Sequence, residues 1–334
     1  MKKTLIIAEA GVNHNGDLTL AKKLIEAAAK AGADVVKFQS FKAELCASKV
    51  AVQADYQVKN TGLSESQVAM LKRLELPLGA EAELLEHCER HGVEFLSTAG
   101  DLKSLELVMK MGLKRLKIPS GELTDLPYLR AAGRFRGQIL LSTGMANLGE
   151  VEAALLALEG SGARREDITL LHCTSEYPAP FSEVNLRALK TLREAFGLEV
   201  GFSDHTEGIT AALGAVALGA RVIEKHFTLD KTMSGPDHRA SLEPCELKAL
   251  CEGVRQMESA MGDGLKRASA SEAKNIPIVR KSLVARVAIK KGEEFSRANL
   301  TTKRPGSGVS AMLYEDYLGR RALRDYEGDE LIDA

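Results

Sequence analysis

Net charge is what this sequence has least of: 45 lysines and arginines stand against 46 aspartates and glutamates, a formal balance of -1. No dense basic run breaks that balance, so nonspecific attraction to nucleic acid or to an acidic membrane surface has no source. Any anionic ligand has to be held by local charges. No run of about 20 apolar residues occurs, which excludes an ordinary membrane-spanning helix. The opening MKKTLIIAEAGVNHNGD is too short and turns polar too quickly for a signal peptide, so it reads as a first strand and the expected location is cytoplasmic. Cysteine is scarce too. Cys46, Cys88, Cys173, Cys245 and Cys251 are odd in number and contain no CxxC pair, and are expected to be free, mostly buried thiols.

What the sequence does have is a rhythm. Apolar runs rich in Val, Ile and Leu recur at 4–11, 34–41, 93–100, 115–121, 138–145, 168–175, 198–204 and 222–228. Most are continuous rather than alternating, the mark of strands buried on both faces of a parallel arrangement. Helical patterns lie between them, at 18–31, 102–111, 148–158 and 207–218 among others. Several open at a capping residue (Asp17, Asp101, Asn147) and several close at a glycine (Gly32, Gly112, Gly219). Eight strand and helix units over about 260 residues predict a (β/α)8 barrel, an α/β fold, rather than an open doubly wound sheet.

Two stretches depart from the rhythm. The interval 43–92 is about twice the normal length and carries Tyr56, Lys59, Asn60, Thr61 and Gly62 ahead of an amphipathic stretch. It reads either as a lid or substrate clamp on the catalytic face or as an ordinary excursion. After Gly262 the helical period fades, giving an expected division into a barrel at 1–262, a polar linker at 263–278 and a small β-rich domain at 279–334 with turns at Lys291-Gly292 and Glu327-Gly328. A domain of about 60 residues buries little surface alone and is expected to lean on a partner.

Reactive groups in such a barrel gather at the carboxyl ends of strands. Those ends carry Glu9, Asn13 and His14; Lys37 and Gln39; Ser97 and Thr98; Lys117, Ser120 and Glu122; Ser142 and Thr143; His172, Thr174 and Ser175; Ser203, Asp204 and His205; and Glu224, Lys225 and His226. Lys37 and Lys117 stand inside apolar strands, where an unpaired ammonium is costly. Each either pairs with a carboxylate such as Glu9 or Glu122, or joins the hydroxyls of Thr98, Ser120, Ser142 and Ser203 in gripping a phosphate or carboxylate. His205 and His226 leave successive strands at matching points and could hold a divalent metal, although two ligands alone make a weak, exchangeable site. Glu9 and Glu122 are candidates for acid or base work, or for orienting the lysines. His14, His172 and His238 are weaker candidates, while His87 and His91 lie on an ordinary helix surface.

The motifs AEAGVNHNGD, VVKFQ, KIPSGEL, LSTGM, HCTSEYPAP, GFSDHT, EKHFTLDKTMSGPDH and, near the end, KRPGSG run in order through the whole chain and resemble the sialic acid synthase family. The resemblance implies an enzyme that condenses phosphoenolpyruvate with an N-acetylated mannosamine-type sugar to a nine-carbon acid, and a tail that is an antifreeze-like (SAF) domain. It implies a divalent metal on His205 and His226, usually Mn2+ with Mg2+ or Co2+ as substitutes, that polarises the aldehyde of the open-chain sugar. It places Lys37, Asn60, Thr98, Lys117, Ser120, Ser142 and Ser203 on phosphoenolpyruvate, with Ser175 where many relatives carry asparagine. Tyr177 and Asp237 fall near the sugar. The implied chemistry is attack by C3 of phosphoenolpyruvate on the aldehyde, addition of water at C2 and loss of phosphate. Glu122 is assigned to the water's proton, and Glu9 to organising the catalytic lysines. Arg304 matches an arginine that reaches across a domain-swapped homodimer toward the sugar's acetamide.

The first expectation for the product is N-acetylneuraminate. The alternative within the family is N,N'-diacetyllegionaminate, made from 2,4-diacetamido-2,4,6-trideoxymannose, whose extra acetamide and methyl group call for more apolar contact. A pseudaminate-type acceptor, a 3-deoxy sugar acid built from a phosphorylated aldose, and a noncatalytic carbohydrate-binding protein are the other readings.

Overall fold

Residues 3–333 are described by a computed structural model. They form two compact units that divide between Gly262 and Asp263. In the first, eight strands close into a barrel in sequence order: β1 (Leu5–Gly11), β2 (Val35–Ser40), β3 (Glu94–Ala99), β4 (Arg115–Ile118), β5 (Gln138–Ser142), β6 (Ile168–Cys173), β7 (Glu199–Asp204) and β8 (Val222–His226). Every neighbouring pair is parallel, including β1 with β8. Two strands stop earlier than their apolar runs suggest. β4 ends at Ile118 because Pro119 offers no N–H to the ladder and Ser120–Glu122 winds into a single 3-10 turn. After β5 the chain turns away, with Met145 in the left-handed region at φ 65°.

The outer faces of the strands pack on a ring of helices: α1 (Leu18–Ala31), α5 (Ala80–Arg90), α6 (Leu102–Lys110), α7 (Leu126–Ala132), α8 (Leu148–Glu159), α9 (Ala188–Phe196), α10 (Thr210–Ala217) and α11 (Pro244–Ala260), with the short α2 (Ala43–Cys46), α3 (Asp55–Thr61) and α4 (Gln67–Leu74) filling the long interval after β2. Caps fix the starts of several. Asp17 accepts from Thr19 and Leu20 N–H groups, Asp101 from Ser104, and Asn147 forms a capping box with Glu150. Ile6, Ala8, Val36, Phe38, Phe95, Leu116, Ile139 and Phe202 project outward into the main core shared with these helices.

Alternation then settles what faces the barrel axis, since residues two apart share a face. Ile7, Val35, Leu96, Leu140, Leu171 and Val222 form a separate apolar floor. Gly201 makes room for that floor, because a Cβ there would lie 2.6 Å from Leu171 Cδ2. Two positions further along, the inward residue is Glu9, Lys37, Thr98, Ser142, Ser203 or Glu224, with Lys117 at the matching level of β4 and the thiol of Cys173 on β6. The barrel is a packed plug below and a polar well above.

The segments α2 to α4 are tied to the barrel by a small cluster of Val12, Phe41, Met70 and Leu74, with Leu71 against it. Glu75 reinforces the join by accepting from the Ala43 N–H at 2.9 Å and from the Lys42 ammonium at 3.2 Å.

In the second unit the stretch expected as a linker carries two single helical turns, Ala270–Ala273 and Ile276–Val279. Antiparallel β9 (Ser282–Ala285) and β10 (Leu300–Lys303) follow, with isolated bridges such as Val284 to Leu331 and Ile289 to Tyr326. This unit has its own core of Leu283, Ile289, Phe295, Leu300, Tyr317, Tyr326 and Ile332, among others. It buries more by itself than its length suggested. The five cysteines are free, three of them buried, and among the described residues no helix is long and apolar enough to cross a membrane.

Candidate active site

Strand register brings the sequence candidates together. Glu9 lies beside Lys37 on β2 and beside His226 on β8; Thr98 faces Lys117 across β3 and β4; Ser203 faces Glu224 across β7 and β8. The well above them is a cavity of about 510 Å³ lined by Glu9, Lys37, Thr98, Lys117, Ser120, Glu122, Ser142, Ser175, Tyr177, Ser203, His205, Glu224 and His226.

Both readings of the buried lysines contain part of the answer. Lys37 lies 3.0 Å from Glu9 and 3.6 Å from Glu224, and donates to Thr98 Oγ1 at 2.9 Å. Lys117 has poorer company: Glu224 at 3.6 Å and its neighbour's carbonyl, Ile118 O, at 3.4 Å. The carboxylate between the two lysines is thus Glu224, not Glu122. Burial pushes the Glu224 carboxyl up, but Lys117 and Lys37 outweigh it and hold Glu224 ionised. Burial raises Glu9 against the pull of Lys37, and lowers Lys117 despite Glu224. Lys117, whose nearest partners are 3.4 and 3.6 Å away, keeps N–H donors that an anion would take up.

The hydroxyls point the same way. Ser142 Oγ is buried with no hydrogen-bond partner among the described residues, an unmet demand that a ligand oxygen would satisfy. Ser120 Oγ accepts from the Gly144 N–H at 3.0 Å and lies 3.1 Å from Cys173 Sγ. A Cβ on Gly144 would stand 2.4 Å from Ser175 Oγ and 2.7 Å from Ser120 Oγ, so glycine keeps this corner open. Asn60 is not part of it. Its amide donates to Pro236 O at 2.7 Å, tying α3 to the loop that bears Asp237.

On the opposite wall, the His205 and His226 rings lie 5.5 Å apart, nearly edge to face. His205 donates its Nδ1 proton to Thr174 O at 2.6 Å, which leaves Nε2 as the free lone pair. Burial lowers its pKa to about 4 and also pushes that of His226 well below the ordinary imidazole value. His226 Nδ1 is buried without a hydrogen-bond partner among the described residues, and Asp237 Oδ2 is 4.0 Å from it. Neutral imidazoles with one nitrogen fixed or orphaned, beside a carboxylate, are a donor set that fits a divalent cation. Tyr177 stacks on His205 at 4.1 Å and meets His226 edge-on at 5.3 Å. Behind the pair, Lys225 and Asp204 form a fully buried ion pair at 2.9 Å, and Lys225 also holds Thr206 O.

Glu122, on the turn after β4, is pushed up to about 7 by burial, Asp125 and Asp101. His172 is bonded to Val184 O and His238 to Thr228 Oγ1, while His14 accepts from the Gly16 N–H at Nδ1 and has its buried Nε2 without a hydrogen-bond partner among the described residues. A separate group of Glu26, His87 and His91 on α1 and α5 brings three ligand atoms within 4.8 Å of one another on the barrel's exterior, with the Arg90 guanidinium 3.4 Å from His87 Nδ1. Arg304 is exposed in the second unit, in the loop after β10.

Fold and well define a class first: a (β/α)8-barrel enzyme that grips a small anion on buried lysines beside an imidazole pair suited to a divalent cation. Residues 24–266 match the NeuB family and residues 280–334 match the SAF domain. The chain is 64% identical over 332 residues, 99% of each chain, to an N,N'-diacetyllegionaminic acid synthase of Campylobacter jejuni. It is 45% identical over 318 residues, covering 95% of this chain and 89% of the other, to one of Legionella pneumophila. A solved N-acetylneuraminic acid synthetase of Leptospira borgpetersenii superposes with a TM-score of 0.73 at 33% identity, covering 82% of this chain and 90% of that one. The chain belongs to the NeuB family, and with it to the phosphoenolpyruvate-dependent nonulosonic acid synthases.

Proposed function

We propose that this protein condenses phosphoenolpyruvate with 2,4-diacetamido-2,4,6-trideoxymannose to give N,N'-diacetyllegionaminate and phosphate. The carrying observation is the 64% identity over essentially the whole chain to a diacetyllegionaminic acid synthase, against 33% to a sialic acid synthetase. It moves the reading from N-acetylneuraminate, the first expectation from the motifs, to the family alternative.

In this reading Lys37, Lys117, the Ser142 hydroxyl and the corner of Ser120, Gly144 N–H and Ser175 hold the phosphate and carboxylate of phosphoenolpyruvate. Thr98 and Ser203 orient Lys37 and Glu224. His205 and His226 would hold a divalent cation, Mn2+ by family precedent, which when bound would draw electron density from the acceptor's carbonyl oxygen. The new bond forms between C3 of phosphoenolpyruvate and the aldehyde carbon, whose oxygen takes up a proton from solvent and ends as a hydroxyl. The lysine well fixes the donor's face, and Tyr177 shields the reacting end from bulk water. Water adds at the cationic C2, Glu122 takes its proton, and the tetrahedral carbon expels phosphate to leave the ketone. Asp237 lies beside the acceptor. A cytoplasmic location and a domain-swapped dimer in which Arg304 reaches the partner's acceptor complete the proposal.

The test is direct competition between the diacetamido sugar and N-acetylmannosamine, with Mn2+ and saturating phosphoenolpyruvate. A kcat/KM advantage of about 10-fold or more for the diacetamido sugar is expected; parity or preference for N-acetylmannosamine would return the reading to N-acetylneuraminate. Release of phosphate with neither sugar consumed would end both.

A further inference from the structure

The well changes character toward its rim. Its floor is charged, but the residues that the long interval after β2 contributes are Cys46 at the end of α2, Ala54, Tyr56 and Gln57 around the start of α3, and Gln67 and Leu71 on α4. None of these rim residues carries a charge, and Tyr56, Gln57, Gln67 and Leu71 are half-buried. An aromatic row leads to them from the imidazole pair: Tyr177 lies 4.1 Å from His205, and Tyr56 lies 5.0 Å from Tyr177.

An open-chain hexose whose aldehyde is at the histidines extends about 6 Å from C1 to C6 through its five carbon–carbon bonds. The donor fills the lysine floor, so the sugar's tail has to run outward along that row to the rim. What it meets there is an aromatic face, a leucine and two carboxamides. A methyl at C6 gains from the first two, and an acetamide finds partners in the Gln67 carboxamide and the Gln57 side-chain NH2, since Gln57 Oε1 already accepts from the Ala54 N–H at 3.0 Å. A C6 hydroxyl would be desolvated against Leu71 and Tyr56 without a fixed partner.

Resting on the acceptor named under the proposed function, we infer that Tyr56 and Leu71 are the specificity-determining residues that read the deoxy C6 end of the sugar, with Gln57 and Gln67 taking its second acetamide. The long interval is then an acceptor gauge built onto a general phosphoenolpyruvate barrel. Leu71 is anchored from behind by the cluster of Val12, Phe41, Met70 and Leu74, so its side chain presents a fixed surface.

The experiment measures kcat/KM for three acceptors: N-acetylmannosamine, its 6-deoxy analogue and the diacetamido trideoxy sugar. The proteins are wild type, Leu71→Gln, Leu71→Met and Tyr56→Ala. Leu71→Gln and Tyr56→Ala should each lose on the order of 10-fold on both 6-deoxy sugars and change by less than about 3-fold on N-acetylmannosamine. Leu71→Met should stay near wild type, and the KM for phosphoenolpyruvate should hold throughout. An equal loss on all three sugars, or a raised KM for phosphoenolpyruvate, would show that the substitutions merely loosen the segment and overturns the inference. If wild type itself ignores the diacetamido sugar, the proposed function fails. If wild type uses that sugar but the variants leave the ratios unmoved, only the gauge fails.

Discussion

Gly144 stands where any side chain would collide with the anion corner: its absent Cβ would lie 2.4 Å from Ser175 Oγ, and its N–H reaches Ser120 Oγ at 3.0 Å. Gly144→Ala should therefore raise the KM for phosphoenolpyruvate about 10-fold or more, equivalent to about 1.4 kcal/mol of binding. Mn2+ affinity, measured by titration without substrates, should not move. An unchanged KM would show that this corner is not where the anion sits. Glu122 gives a second test at this scale. Burial and the neighbouring acids raise its pKa to about 7, so below that pH it is protonated and cannot take a proton from water. Turnover should rise with pH through about 7, where Glu122 and Glu9 both titrate, while burial holds the His205 and His226 imidazoles below their ordinary range. Glu122→Gln should lower kcat by roughly 100-fold or more, and a limb that survives belongs to Glu9, which burial also raises to about 7; a kcat near that of wild type would move the role to another group. Most of these residues were legible from the sequence, because a lysine in VVKFQ or RLKIPSG has no cheap explanation. The partner of Lys117 was not. Glu122 is nearer in sequence, but the partner is Glu224, which reaches the lysine from β8 only because the barrel closes. Gly144 was hidden for a different reason: a glycine's role depends on what surrounds it.

The strands and helices were readable from apolar runs and caps, and their ends moved where local chemistry intervened, as at Pro119. What the pattern left open was how adjacent strands hold the two histidines. Asp204 and Lys225 are register partners on β7 and β8, each next in sequence to a histidine, and their 2.9 Å ion pair is fully buried. Removing one member of such a pair strands the other charge in a dry interior. Lys225→Met should lower unfolding stability by about 3 kcal/mol or more, read from urea denaturation. Asp204→Asn combined with Lys225→Met should recover part of that loss, since no lone charge remains. A single variant as stable as wild type would mean the pair is hydrated in solution. The long interval after β2 illustrates the same limit. Its length left a lid and an ordinary excursion equally open, and did not show that Asn60, which the resemblance assigned to phosphoenolpyruvate, bonds to Pro236 O and braces the loop carrying Asp237.

At the scale of the whole molecule, the question is why a barrel that contains its own anion well and imidazole pair carries a second folded unit. That unit does not need a partner to acquire a core, for Leu283, Phe295, Leu300 and Tyr326 are buried within it. Its contribution has to be sought on its surface, where Arg304 stands exposed beside β10 in the KRPGSG motif. If Arg304 serves the partner's acceptor site, activity depends on it in trans, and that dependence can be separated from folding. Arg304→Ala should raise the KM for the sugar while leaving the KM for phosphoenolpyruvate nearly unchanged, as should a chain ending at Gly262. The decisive measurement mixes two proteins at a sugar concentration far below the KM of the Arg304→Ala variant, where neither turns over alone. One carries His226→Ala with Arg304 intact; the other carries Arg304→Ala with His226 intact. Random reassortment makes half the dimers hybrids with one complete site of two, so activity should return to about a quarter of wild type. A protein whose Arg304 acts within its own chain regains nothing on mixing, because no hybrid then contains a complete site.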